Sequence, residues 1–160
     1  VDAGLFKISE KNNKIYDVFR NRIIFPIKSH RDQIIGFGGR VIDPTDNPKY
    51  LNSSDSDIFK KGRELYGLSE ILKNKKRINR IVVVEGYTDV LSLFSNDMNY
   101  AVATLGIATS KVHIDKLFTH VDEVIFCFDG DDAGVKAAES ALNISLSGLR
   151  DGKKIKFKPI

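Results

Sequence analysis

From residue 80 onward the chain alternates apolar runs with amphipathic stretches. "RIVVVEG" holds Val82, Val83 and Val84 without a polar interruption, the pattern of a strand buried on both faces. "YTDVLSLF" sets Val90, Leu91, Leu93 and Phe94 at helical spacing. "YAVATLG" predicts a second strand ended by Gly106, and "TSKVHIDKLF" a helix capped by Thr109 or Ser110. "EVIFCFDG" predicts a third strand, "DDAGVKAAESALNISL" an Ala-rich helix, and "KIKFKPI" an alternating, more exposed final strand. This alternation predicts an α/β domain over residues 79–160, a mostly parallel sheet flanked by helices.

The first part, residues 1–78, follows another pattern and predicts a mixed α+β subdomain. "NRIIFPIKSHRDQIIGFGGRVI" holds two apolar runs around a polar turn at Ser29 to Gln33, which predicts a hairpin. Pro26 places its strand at an edge or strand end. Gly36, Gly38 and Gly39 around Phe37 lack the βαβ context of a dinucleotide fingerprint. They predict a kink, a bulge or a close neighbour instead. "DPTDNPKYLNSSDSD" reads as turn-rich loop. "LYGLSEILKNKKR" predicts a helix ending in a basic cluster of Lys73, Lys75, Lys76 and Arg77, with the domain boundary near Arg77 to Arg80.

Composition narrows the class. Hydrophobic residues make up 42% of the 160, enough for a packed core rather than disorder. No run reaches the roughly 18 apolar residues of a membrane span, so no membrane association is expected. The start, "VDAGLFKISEK", has no signal-peptide pattern and no initiator Met, so a piece of a longer chain is expected. A single cysteine, Cys127, excludes an internal disulfide, agrees with a reducing cytosol, and reads as a small buried residue. His30, His113 and His120 have no partner at zinc-ligand spacing, and no zinc is expected.

Charge is unevenly placed. Residues 1–80 carry 17 Lys and Arg against 10 Asp and Glu, while residues 81–160 carry 8 against 11. Basic surface attracts phosphate backbones. On charge alone a merely solvated Lys-rich face remains an equal alternative.

The acidic half is more specific. Ligands in parallel α/β sheets gather at the carboxyl ends of strands. Glu85 ends the first strand of this half, Asp89 follows one helical turn later, and Asp129 and Asp131 end the third strand. Each motif alone has an ordinary reading: Asp131 or Asp132 as a helix cap, Gly130 as a tight turn, Glu85 as a surface residue near a helix N-terminus, Asp89 as a cap or the partner of a nearby base. Together they would crowd four carboxylates into one cleft, which is unfavourable without a cation. Oxygen ligands alone favour Mg²⁺, with Mn²⁺ as a substitute.

"EGYTD" after "IVVV", with "DGDDAG" after "VIFCF", resembles the TOPRIM signature of topoisomerases, bacterial primases and some nucleases. "FRNRIIFPI", "GFGGRV", "PKYLNS", "FKKGRELYGL" and "YAVATLGIATS" resemble, in that order, the catalytic core of DnaG-type bacterial primases. The resemblance covers nearly the whole chain. It implies a Rossmann-like TOPRIM domain behind a basic subdomain, and synthesis of short RNA primers on a single-stranded DNA template from ribonucleoside triphosphates. It implies a cytoplasmic enzyme at the replication fork, joined to the replicative helicase through a C-terminal domain outside this sequence. The family's zinc-binding domain is also outside it, and the core continues past "KFKPI" through a further Asp-x-Asp motif. The metal site is therefore expected to be incomplete here, and activity weak or absent.

By the same resemblance Glu85, Asp129 and Asp131 are the catalytic metal ligands, with Asp89 as a secondary ligand or orienter. Gly86, Gly106 and Gly130 allow close backbone approach in the cleft, with plain turn geometry as the alternative for Gly86 and Gly130. Arg40, Lys49, Tyr50, Asn52, Lys61 and Arg63 line the template or nucleotide groove. Two rivals remain: another TOPRIM enzyme, for which none of the five tyrosines has the context of a topoisomerase nucleophile, and a non-catalytic nucleic-acid-binding module.

Overall fold

The computed structural model describes residues 4–74 and 78–159. Lys75, Lys76 and Arg77 of the expected basic cluster, and with them part of the expected boundary, lie outside the described residues. The chain divides into two compact units, Val1–Lys60 and Lys61–Ile160.

The first unit is built on β-structure. β1 (Phe6–Ile8) and β2 (Ile15–Asp17) form an antiparallel hairpin that the sequence pattern did not announce, since three-residue strands are too short to show a period. β3 (Arg22–Lys28) and β4 (Ile34–Val41) form the expected hairpin. Its turn closes where the Ser29 N–H donates to the Gln33 carbonyl at 2.9 Å. Pro26 lies within β3, an edge strand, where its missing N–H costs no ladder bond. The loop expected over 43–57 is corrected in one place: Tyr50–Asn52 form β5, which pairs with Gly38–Arg40 on the free side of β4. The glycines of β4 answer to close neighbours. A Cβ at Gly39 would lie 2.7 Å from the Phe19 ring, and one at Gly36 would lie 3.1 Å from the ring of fully buried Phe59.

The second unit is the expected parallel sheet. β6 (Arg80–Val84), β7 (Ala101–Ala103), β8 (Glu123–Phe128) and β9 (Lys154–Pro159) are ordered β7-β6-β8-β9, all parallel. Alternate residues of β6 feed two cores. Ile81 and Val83 join the helices α1 (Leu68–Lys73), α3 (Lys111–Phe118) and α4 (Asp132–Gly148) on one face. Val82 and Val84 meet Val90 of α2 (Tyr87–Ser95) on the other. That two-sided burial is why the run reads as continuously apolar. Cys127 is half-buried beside the second core, and burial raises its thiol pKa, with Lys158 opposing. Among the described residues no helix is long and apolar enough to cross a membrane.

Two elements differ from expectation. α1 begins at Leu68, not Leu65, because Tyr66 is extended and exchanges two hydrogen bonds with Ala103, at 2.9 and 3.0 Å. Gly67 then turns the chain at φ +87°, where a Cβ would meet the Ala101 carbonyl at 2.8 Å. β7 ends at Ala103, three residues before Gly106. Its parallel pairing with β6 ends there, with Val84 opposite Ala103. Gly106, at φ +73°, belongs to the loop that follows.

Candidate functional site at the strand ends

β6 and β8 are direct neighbours, with Val83 opposite Phe126. Two residues beyond Val83 and three beyond Phe126, the chain delivers Glu85 and Asp129 to the same end of the sheet. The Asp129 N–H donates to Glu85 Oε1 at 3.1 Å, tying the two acidic motifs across 44 residues of sequence. Both side chains are exposed.

Asp89 and Asp131 stand at the first turns of the helices that follow these strands. Asp89 Oδ2 accepts from the Gly86 N–H at 2.9 Å, so the third helical residue of α2 reaches back to satisfy the backbone of its N-cap. Asp131 is the N-cap of α4, and its Oδ1 accepts from the Gly134 N–H at 2.8 Å. The capping reading of each thus holds through one oxygen. A carboxylate has a second oxygen with further acceptor sites, so capping does not preclude ligation. Asp132 is the first helical residue of α4, an acidic group at a helix N-terminus. Among the described residues no three His, Cys, Asp or Glu side chains gather closely enough to hold a metal ion. The structure brings Glu85 together with the Asp129 backbone and sets Asp89 and Asp131 on the adjoining caps. Gly130 is exposed in the turn between β8 and α4.

The expected groove residues fall in both units. In the first, Arg40 and Tyr50 are cross-strand partners. The Arg40 guanidinium lies 5.6 Å, and the Lys49 ammonium 5.8 Å, from the centre of the Tyr50 ring. Arg22 Nη1 donates to the Lys49 carbonyl at 3.5 Å, and Asn52 pairs with Gly38. Two cations, Arg40 and Lys49, thus lie against one aromatic ring, an arrangement suited to phosphate and base together. In the second unit, Lys61 and Arg63 lie in a turn bound to α3.

Sequence reasoning missed two residues that shape these places, Gly134 and His113, and offered Ser110 only as one of two caps for α3. A Cβ at Gly134 would lie 2.0 Å from the Asp129 carbonyl oxygen, so only glycine lets the first turn of α4 pack against that backbone. The second glycine of "DGDDAG" was its signal. Ser110 and His113 form a capping box in which His takes the place usually held by Glu or Gln. His113 is fully buried and also reaches the Lys61 carbonyl, which no local pattern reveals.

Comparison with known proteins bears on both units. Residues 1–72 match the family described as DNA primase catalytic core, N-terminal domain, and residues 79–158 match the Toprim domain. The chain belongs to the DNA primase family. A DNA primase of Pseudomonas putida is 51% identical over 98% of this chain and 24% of its own length. The crystal structure of a primase domain from Pseudomonas aeruginosa superposes with a TM-score of 0.95 at 50% identity, covering 99% of this chain and 49% of that one. A DnaG primase catalytic domain solved bound to single-stranded DNA gives 0.92 at 48% identity, covering 99% and 49%. The chain therefore spans about a quarter of the curated primase it matches and about half of the solved primase domains.

Proposed function

We propose that this chain is the part of a primase catalytic core that holds the reacting nucleotides, serving template-directed synthesis of short RNA primers on single-stranded DNA. The observation that carries the reading is the junction of Glu85 with Asp129 at neighbouring parallel strand ends, inside a chain that matches both primase domains. In the reaction the 3′ hydroxyl of one ribonucleotide attacks the α-phosphorus of the next, and pyrophosphate leaves. Catalysis is then chiefly positioning and charge stabilisation.

The donor chemistry suits a hard divalent cation, exposed carboxylates with oxygen only at one sheet end, although among the described residues no three of them converge closely enough to hold one here. Glu85, Asp129 and Asp131 would hold Mg²⁺ or Mn²⁺, with Asp89 lending its second oxygen or orienting the Gly86 backbone. Such an ion, when bound, lowers the pKa of the attacking hydroxyl and neutralises charge on the leaving group. Gly86, Gly106 and Gly130 leave room for phosphate to approach the backbone. Arg40, Lys49, Tyr50 and Asn52, with Lys61 and Arg63, would bind template and nucleotide phosphates, the arginines by bidentate grip. The replicative helicase and the RNA primer are the partners this reading assigns to the longer protein, and the bacterial cytoplasm is its location.

The test uses a full-length primase carrying this chain. Asp129→Ala should abolish primer synthesis from labelled ribonucleotides while leaving template affinity within about threefold, since the substitution removes a cation ligand and no phosphate contact. Near-normal primer yield would overturn the assignment and favour a nucleic-acid-binding module without catalysis.

A further inference from the structure

We infer that His113 is a positioning residue for the basic segment Lys61–Arg63, holding it in place through a neutral imidazole. The inference rests on the reading above in which Lys61 and Arg63 contact phosphate.

The imidazole is 0% exposed and bonded at both nitrogens. The Ser110 backbone N–H can only donate, so Nδ1, 3.2 Å away, accepts. A carbonyl can only accept, so Nε2 carries the proton and donates to the Lys61 carbonyl at 3.2 Å. That fixes the tautomer. Ser110 Oγ accepts from the His113 N–H at 3.1 Å and donates to the Gly62 carbonyl at 2.8 Å. Lys116 Nζ closes the set on Glu64 Oε2 at 3.0 Å. Residues 61, 62 and 64 are thus each tied to α3 or its cap. Gly62 lies beside Ile107 of the loop after β7, where a Cβ would meet the Ile107 side chain at 3.8 Å.

This arrangement orients charges that lie in no strand or helix. Lys61, Gly62 and Arg63 form a turn, and the backbone next becomes regular only at Tyr66. α3 begins beyond the carboxyl end of β7, and β7 neighbours β6, which ends at Val84, just before Glu85. The clamp therefore fixes the backbone that carries Lys61 and Arg63 to the start of α3.

The substitution His113→Asn separates the roles. The Asn carbonyl can stand in for Nδ1 at the Ser110 N–H, but the side chain is too short for Lys61. Binding of a fluorescein-labelled single-stranded DNA oligonucleotide is followed by anisotropy across a salt series, with hydrogen–deuterium exchange of residues 61–64 in parallel. A loss of folded protein lowers the active fraction and leaves the salt slope alone, whereas a lost phosphate contact reduces the slope by about 0.7. We expect faster exchange at 61–64, several-fold weaker binding and a slope smaller by about 0.7–1.4, for loss of one or two contacts. His113→Gln, which can reach Lys61, should restore most of the slope. Ser110→Gly keeps a competent helix cap but loses the bond to Gly62, and should reproduce the defect if the histidine variants do not fold. A Lys61→Ala, Arg63→Ala double variant serves as reference. If it loses slope while His113→Asn and Ser110→Gly do not, the positioning role is overturned and the phosphate reading survives. If the double variant keeps its slope, the phosphate reading fails and this inference falls with it.

Discussion

The Asp129 backbone N–H donates to the Glu85 carboxylate at 3.1 Å, so the two acidic motifs are joined through main chain on one side and side chain on the other. Glu85 therefore has two separable tasks. Glu85→Gln keeps an acceptor for that N–H but loses the charge. Its unfolding free energy should stay within about 0.5 kcal/mol of the parent, whereas Glu85→Ala should lose up to about 1.5 kcal/mol. Mn²⁺ affinity, read by electron paramagnetic resonance, should fall in both. Undiminished Mn²⁺ binding in Glu85→Gln would confine the residue to its structural bond.

Asp131 admits the same separation. Asn and Asp are comparable helix caps, so Asp131→Asn should be nearly neutral in stability, while Asp131→Ala should cost about 1 kcal/mol. If Asp131 also binds the cation, both variants lose metal affinity. Chemical denaturation and metal titration on the same samples distinguish a cap from a cap that is also a ligand.

Gly134 should tolerate no side chain. A Cβ there would stand 2.0 Å from the Asp129 carbonyl oxygen, a backbone atom that cannot rotate away. Gly134→Ala should destabilise by about 1–3 kcal/mol or more and displace the Asp129 turn. Thermal unfolding gives the first quantity. A crystal structure of the variant with an unmoved turn would contradict the second.

His113 should make stability depend on mildly acidic pH. Burial is the main reason its pKa lies below the ordinary 6.5; the Lys116 charge acts in the same direction, and hydrogen bonds to the Lys61 and Glu64 backbone oppose it. The unfolded chain therefore takes up the proton near pH 6.5 while the folded chain resists it. Stability contributed by neutral His113 is present above 6.5, declines as pH falls below it, and is lost once pH passes under the folded value. Urea unfolding from pH 7.5 to 5 should show this decline in the parent and a shallower one in His113→Asn. Parallel curves would assign the pH dependence to other groups.

The parallel sheet was legible because its strands are buried on both faces and its helices are amphipathic, so Val82–Val84 and Val90–Phe94 carry their own periods. Glu85 and Asp129 were legible as a pair because a parallel sheet sends strand ends to one side, whatever separates them in sequence. β1, β2 and β5 were not, since three residues cannot establish an alternation. The start of α1 was misplaced because the decisive bonds, Tyr66 to Ala103, are long-range. His113 escaped for the same reason: a lone histidine on a helix reads as core until its second nitrogen is seen on Lys61.

The central claim is that Glu85, Asp129 and Asp131 hold a divalent cation at the end of the sheet. Crystals of a full-length primase carrying this chain, soaked in Mn²⁺ and measured for anomalous scattering, test it most directly. The account predicts a peak within about 2–2.5 Å of carboxylate oxygens from Glu85 and Asp129, with Asp131 adjoining. A peak bound elsewhere, with these carboxylates engaged only in their hydrogen bonds to Asp129 N–H and Gly134 N–H, would contradict it.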